Sequence, residues 1–376
     1  MIEEIAEKLN IPSAQLRELI DRGIIKEVEG EHPHLFRFDK ECGAIENGTA
    51  IFVHEKIDIV RGFPKIRRAM ILDPTIKRHF DCPTVMIEEK MNGYNVRIAS
   101  IGGEIFGLTR GGLVCPYTTE KARDIIGDAF FKDNPDLVLC GEMVGPDNPY
   151  VPKDIYDIPS LDFFLFDIKK KASGASLPIA QRLRLVEEYN IKSVRIFGEY
   201  PVNEASAAAR EIVKELGRQN HEGIVIKDPQ TKIPPIKYTS SQSNCGDLRD
   251  GFRFYNDYGR PFFFTRIVRE GFQAVEWNES EEELRERCLQ LGESILKPMV
   301  YTIKSRKRGE QIGENVQIKV KYLETAREFE AHLNRMGIDA VFEEPEKVDG
   351  GYLVKIKRLY QSTNDKTMSV LNGELW

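Results

Sequence analysis

No stretch of this chain approaches the roughly 20 consecutive apolar residues of a membrane-spanning helix. The N-terminus, MIEEIAEKLN, is charged and helical in pattern and lacks the apolar centre of a signal peptide. There is no CxxC pair. The six cysteines (Cys42, Cys82, Cys115, Cys140, Cys245 and Cys288) are scattered and the histidines do not cluster, which argues against a disulfide framework and a structural zinc site. The expected compartment is the cytoplasm. An excess of basic charge is also missing: Lys and Arg total 54 against 60 Asp and Glu, a net charge of −6. The surface as a whole is therefore a poor electrostatic trap for nucleic acid, but a local channel remains open, since phosphate affinity depends on where the cations sit. Two basic clusters, Arg61 to Arg68 (RGFPKIRR) and Lys304 to Arg308 (KSRKR), are candidates for phosphate contact, with a solvated face as the alternative. No internal repeat or low-complexity tract is visible.

What is present is enough chain, at 376 residues, for two to four domains. Residues 1–63 read as two short amphipathic helices, with stripes Ile2, Ile5, Leu9 and Leu16, Leu19, Ile20, followed by strands at 35–38 and 50–60. Ser13, after Pro12, is the expected cap of the second helix. This outline suits a winged-helix module, although a plain packing module fits it better than a DNA reader. Residues 64–240 alternate apolar strands (85–90, 95–100, 104–109, 137–145, 162–168 and 223–228) with helices near 118–130, 178–190 and 203–218. Residues 241–300 read as helical, with a helix from Glu279 to Leu296 whose acidic start and basic end suit the helix dipole. Residues 301–376 read as a small β-α-β-β unit. The expected class is α+β, with mostly antiparallel sheets and helices on their outer faces.

The chemistry centres on EEKMNGYNVR at 88–97. Lys90 closes an apolar strand before a Gly turn, which places it at the mouth of a sheet. Alone, such a lysine is ordinarily a solvated surface residue. Three more charges recur at strand mouths: Glu142 in LCGEMVG, Glu222 in HEGIVIK and Lys237 in IPPIKYT, beside the strand FFLFDI. Each could face water; the set in this order is hard to read as accident.

Taken together these segments resemble the collinear motifs of covalent nucleotidyltransferases, the superfamily of ATP-dependent ligases and mRNA-capping guanylyltransferases. KMNG resembles the KxDG nucleophile motif, TRGG at 109–112 the next and CGEM the third; FFLFDI, HEGIVIK and PIKYT resemble the remaining three. With RGFPKIRR and the long C-terminal extension, the whole is most similar to the archaeal ATP-dependent RNA ligase family. Asn92 stands where the motif usually carries Asp. Asn95 stands where many DNA ligases and capping enzymes carry Arg, and is similar to RNA-sealing ligases. No sixth motif of the kind that ends an OB-fold domain is found.

The resemblance implies an ATP-grasp-like catalytic domain of the DNA/RNA ligase type, and a reaction in three steps. Lys90 attacks the α-phosphate of ATP and holds AMP; the AMP passes to an RNA 5′-phosphate; a 3′-hydroxyl then displaces it, joining or circularising single-stranded RNA. A free lysine, with a pKa of about 10.4, is mostly protonated at neutral pH, a deficit of roughly 4–5 kcal/mol that a metal and nearby cations are expected to reduce. By resemblance Glu142 accepts from the ribose hydroxyls, and Phe166 stacks on adenine, with Phe164 as its rival. Glu88 approaches the adenine edge, and Glu222 is the ligand for Mg²⁺, with Mn²⁺ as an alternative. Lys237 neutralises the α-phosphate, with Lys227 a second cation. Arg110 binds the RNA 5′-phosphate, and Asn95 and Arg97 complete the pocket, an outward-facing Arg97 being the alternative. Rival readings are a DNA ligase, a GTP-using capping enzyme and an RNA-binding module without activity. A homodimer is expected through the C-terminal extension, where the 279–297 helix and Phe262–Phe264 are candidate contacts.

Overall fold

A computed structural model of the chain describes residues 1–30, 33–152 and 154–375. Helices α1 (Ile2–Leu9) and α2 (Ser13–Asp21) lead into an antiparallel sheet of β1 (Ile25–Val28), β2 (His34–Phe38), β3 (Ala50–Val53) and β4 (Ile57–Val60), in that order. Their apolar stripes meet: Ile5, Leu9, Leu16 and Leu19 pack on Phe38, Ile51 and Ile59. Ile20 is instead 41% exposed. Asn10 ends α1 in the left-handed region at φ 54°, a conformation its short polar side chain tolerates. Pro12, not Ser13, occupies the N-cap of α2; Ser13 is the first helical residue and makes no cap bond.

The central region runs β5 (Arg67–Arg68), α3 (Leu72–His79), β6 (Thr84–Lys90), β7 (Tyr94–Ile101), β8 (Glu104–Thr109), α4 (Pro116–Ile125), α5 (Ala129–Asp133), β9 (Leu137–Val144), β10 (Asp162–Lys170), α6 (Ile179–Glu188), β11 (Ile196–Pro201), α7 (Ala205–Arg218), β12 (Gly223–Lys227) and β13 (Ile236–Thr239). It forms two sheets, β10-β9-β7-β8 and β11-β6-β12-β13-β5. All pairings are antiparallel except that of β13 with β5. Helices α3 and α7 bury Leu72, Ile76, Ala209 and Val213 on the outer face of the second sheet. This leaves the other side of that sheet free to face a cavity of about 940 Å³.

The C-terminal region continues with α8 (Ser241–Arg253), α9 (Arg260–Glu276), α10 (Glu281–Lys307), β14 (Gly313–Val320), α11 (Leu323–Arg335), β15 (Ala340–Phe342), β16 (Glu346–Val348), β17 (Gly351–Leu359) and α12 (Gln361–Leu371). A capping box between Ser280 and Glu283 starts α10. The helix runs past the expected stop at Leu296, through Pro298, so it crosses the expected 300/301 boundary. A proline removes one ladder bond, and the packing of α10 against α8 and α12 carries the helix through it. The expected β-α-β-β unit is present as β14, α11, β15 and β17, with an additional short strand β16 and a closing helix α12. It sits on the first catalytic sheet through α4 and α11, where Tyr117 and Phe329 meet edge to face at 5.9 Å. No described helix is long and apolar enough to cross a membrane.

Candidate active site

Strand register brings the motif residues to one wall. On β6, β12 and β13, Lys90 pairs with Gly223 and Gly223 with Thr239, while Glu88 pairs with Val225 and Val225 with Lys237. Because side chains alternate across a sheet, Glu88, Lys90, Lys227 and Lys237 all project to the cavity side. The facing sheet contributes Asn95, register partner of Glu142. All six line the cavity, together with Arg110, Phe166 and Glu222.

Lys90 Nζ donates to Glu222 Oε2 at 2.6 Å. The turn after Lys90 is held from behind, where the Asn92 N–H donates to the Tyr156 hydroxyl at 2.7 Å. Gly93 is required there, since a Cβ would lie 2.1 Å from the Met143 carbonyl oxygen. Burial alone would lower the Lys90 pKa, but the Glu222 and Glu142 carboxylates outweigh it and hold the amine above the ordinary lysine value. In the chain by itself the two carboxylates thus outweigh the nearby cation Arg68. Burial, reinforced by Glu222 against the pull of Lys90, pushes the Glu142 carboxyl up to about 7. Lys237 is lowered to about 8 by burial and by the positive charges of Lys90 and Arg68.

The other end of the pocket is built around Phe166. Opposite Gly141 and Cys140 the register of β10 slips, leaving Phe166 as an extra bulged residue. The bulge aims its ring into the cavity, while Phe164 stays against Met91, Val144 and Tyr156 and does not line it. Phe63 meets the Phe166 ring edge-on at 5.1 Å. Glu88 is 1% exposed and its carboxylate is engaged by Lys227 at 2.7 Å and by both terminal nitrogens of Arg182. Despite burial, those two cations hold its pKa below the ordinary value. Lys227 also donates to the Phe166 carbonyl at 2.6 Å, so it belongs to the aromatic end of the pocket and not beside Lys237. Asn95 leaves its buried Oδ1 without a partner, an acceptor free for a ligand.

Arg97 is the clear correction. Its guanidinium is fully buried and outside the cavity, donating to the carbonyls of Arg61 at 2.7 Å, Gly48 at 2.9 Å, Thr109 at 2.8 Å and Val60 at 3.4 Å. Burial lowers its pKa to about 10. It fastens the N-terminal module to the TRGG turn. Gly48 lies so close to that turn that a Cβ on it would come within 2.1 Å of the Arg110 carbonyl oxygen. Arg110 itself remains exposed at the rim of the cavity. Sequence reasoning missed Arg182, Phe63, Tyr156 and the Glu89–His221 pair at 2.7 Å. Arg182 alone left a signal: it interrupts the apolar stripe Ile179, Leu185, Val186 of its helix.

The RNA ligase family matches residues 83–239, and the C-terminal region described as that of ligase Pab1020 matches residues 251–374. A solved archaeal ATP-dependent RNA ligase is 44% identical, with a TM-score of 0.94, covering 100% of this chain and 99% of its own. The chain belongs to the archaeal ATP-dependent RNA ligase family. An uncharacterized protein of Methanocaldococcus jannaschii is 41% identical over 100% of this chain and 97% of its own. A protein of Aquifex aeolicus proposed to be an ATP-dependent DNA ligase shares the architecture at 25% identity and a TM-score of 0.91, over 97% of this chain and 100% of its own. The α+β nucleotidyltransferase fold of the family is thus shared across ligases with different nominal substrates.

Proposed function

We propose that this chain seals single-stranded RNA ends with ATP, forming a phosphoramidate between AMP and Lys90. The observation that carries the reading is Lys90 Nζ, 2.6 Å from Glu222, in one cavity with Lys237, Glu142 and the bulged Phe166. Phe166 offers a flat apolar face to adenine. Glu142 and the unpartnered Asn95 Oδ1 accept from the sugar. Lys237 neutralises the α-phosphate, and exposed Arg110 takes the RNA 5′-phosphate with its forked guanidinium.

Among the described residues no three metal-ligating side chains converge. The carboxylate beside Lys90, Glu222, nonetheless suits Mg²⁺ or Mn²⁺, which use one or two carboxylates plus phosphate oxygens. The metal would supply charge neutralisation at the α-phosphate. In the free chain Glu222 and Glu142 keep the Lys90 amine protonated. Lys90, its proton lost to solvent, then forms the N–P bond as the bond from the α-phosphorus to the β-bridging oxygen breaks and pyrophosphate leaves.

A homodimer is supported by exposed apolar side chains on α9 and α10: Phe264 is 70% exposed, Val275 81%, Leu289 58% and Leu296 61%. Incubation with α-labelled ATP and a divalent cation, then mass mapping, is expected to place AMP on Lys90. Lys90→Ala should abolish the adduct, and labelled GTP should give none. Circularisation of 5′-phosphorylated RNA, set against sealing of nicked DNA, separates this reading from the DNA ligase one.

A further inference from the structure

The cation row does not stop at Lys237. β5 lies parallel to β13 with Arg68 opposite Lys237. Two residues past Lys237, the Thr239 hydroxyl accepts from Arg68 Nη1 and from Arg269 Nη1 of α9, each at 2.6 Å. Arg269 is 3% exposed and Thr239 2%. Neighbouring arginines of the helical region are ion-paired, Arg266 with Asp247 at 2.8 Å and Arg287 with Glu270. Among the described residues, Arg68 and Arg269 form no such pair. Glu222 and Asp247 act on Arg68, and Glu270 and Asp247 on Arg269, but none of these carboxylates makes an ion pair with either guanidinium. Two like charges thus converge on one neutral hydroxyl in a poorly solvated place where an anion would bridge them. Burial, helped by Arg68, lowers the Arg269 pKa to about 9. The Thr239 oxygen uses both lone pairs on the arginines, which leaves its own O–H to donate.

The register says which anion. Thr239 stands opposite Gly223, and Gly223 opposite Lys90, at one end of the wall; Lys227, opposite Met86, marks the other end beside Phe166. A nucleotide with its base at Phe166 and its α-phosphate at Lys90 and Lys237 runs its remaining phosphates toward Thr239. We propose that Arg68 and Arg269, gathered by Thr239, form the subsite for the β- and γ-phosphates of ATP and for the departing pyrophosphate. This rests on the ligase reading of Lys90. In the forward step the Lys90 nitrogen bonds to the α-phosphorus and the bond from that phosphorus to the β-bridging oxygen breaks. The amine gives its proton to solvent, and pyrophosphate leaves with the electron pair; the reverse step returns both. The helical C-terminal region, through Arg269, thereby takes part in the first step.

An RNA backbone phosphate presents the same oxygens, so the test separates the two sources. In the full chain, Arg68→Ala and Arg269→Gln should each weaken pyrophosphate binding in calorimetry about tenfold or more, the loss expected for a hydrogen bond to a charged group. The ATP concentration for half-maximal adduct formation, and the pyrophosphate concentration that strips AMP from Lys90, should rise by a similar factor. Arg269→Lys should recover part of each. Sealing of pre-adenylylated RNA, which involves no pyrophosphate, should fall far less. Undiminished pyrophosphate binding by Arg68→Ala overturns the proposal. So does a selective loss of pre-adenylylated RNA sealing with a shallower salt dependence, which would assign the subsite to RNA. Arg68 is only half-buried, so its variant decides the matter if Arg269→Gln does not fold. A wild-type chain that binds pyrophosphate but forms no adduct would instead refute the ligase reading.

Discussion

Two side chains in the pocket titrate near neutrality, and each sets a pH dependence of its own. Lys237 is charged below about 8 and neutral above. Affinity for a non-cleavable α,β-methylene ATP analogue should therefore fall as pH rises through about 8. Lys90→Ala removes a neighbouring cation and should move that inflection upward; an unmoved inflection in a calorimetric titration would contradict the assignment. Glu142 has its folded-state pKa raised to about 7. The folded protein thus binds that proton more tightly than the unfolded chain, and the associated stability is full below about 4.5 and lost as pH rises through about 7. Glu142→Gln should consequently raise stability at pH 8 by about 1–3 kcal/mol in urea unfolding, while lowering the rate of adduct formation. A gain in stability with a loss of function is the expected mark of a strained binding residue.

At the scale of elements, the bulge in β10 and the roof over β7 decide what the pocket contains. Alternation places Phe164 and Phe166 on one face, and only the slipped register separates them, sending Phe166 to the cavity. Asn95 and Arg97 likewise share a face. Beyond Asn95, however, that face is covered by the N-terminal module, where Val60, Phe63 and Phe52 pack with Ala99 and Cys140. Arg97 therefore meets carbonyls in place of ligand. Arg97→Met should cost about 3 kcal/mol or more, since it leaves buried carbonyls unpaired, read as a lower urea midpoint. Under the proposed role of Arg110, on the fastened turn, transfer of AMP to the RNA end should suffer more than adduct formation on Lys90.

Across the whole molecule, the C-terminal region both closes on the catalytic sheet and presents apolar surface outward. The Tyr238 hydroxyl donates to Glu276 of α9 at 2.8 Å, so the strand bearing Lys237 is tied to the helix that exposes Phe264 and Val275. If that surface is a dimer interface, Leu289→Glu with Leu296→Glu should convert the protein to monomer in light scattering without lowering its melting temperature by more than a few degrees. A wild-type monomer at micromolar concentration would rule the interface out.

The apolar strands β6 to β10 and β12, the order of the motif residues and the place of Lys90 at a sheet mouth were legible in the sequence, because apolar runs punctuated by Gly turns are local signals. The edge strands β5 and β11 were not. Local signals also marked the two N-terminal helices and the charged start of α10. Register was not legible, and register is what put Glu88 with Lys227, Lys237 with Arg68, and Phe166 in the cavity. Arg182, Arg269 and Tyr156 come from distant segments, and their roles rest on contacts across 94, 30 and 64 residues. No periodicity reports such a separation. The sequence determined which groups could do the chemistry; the packing of sheet, roof and helices decided which of them meet, because only burial and register fix where a side chain points.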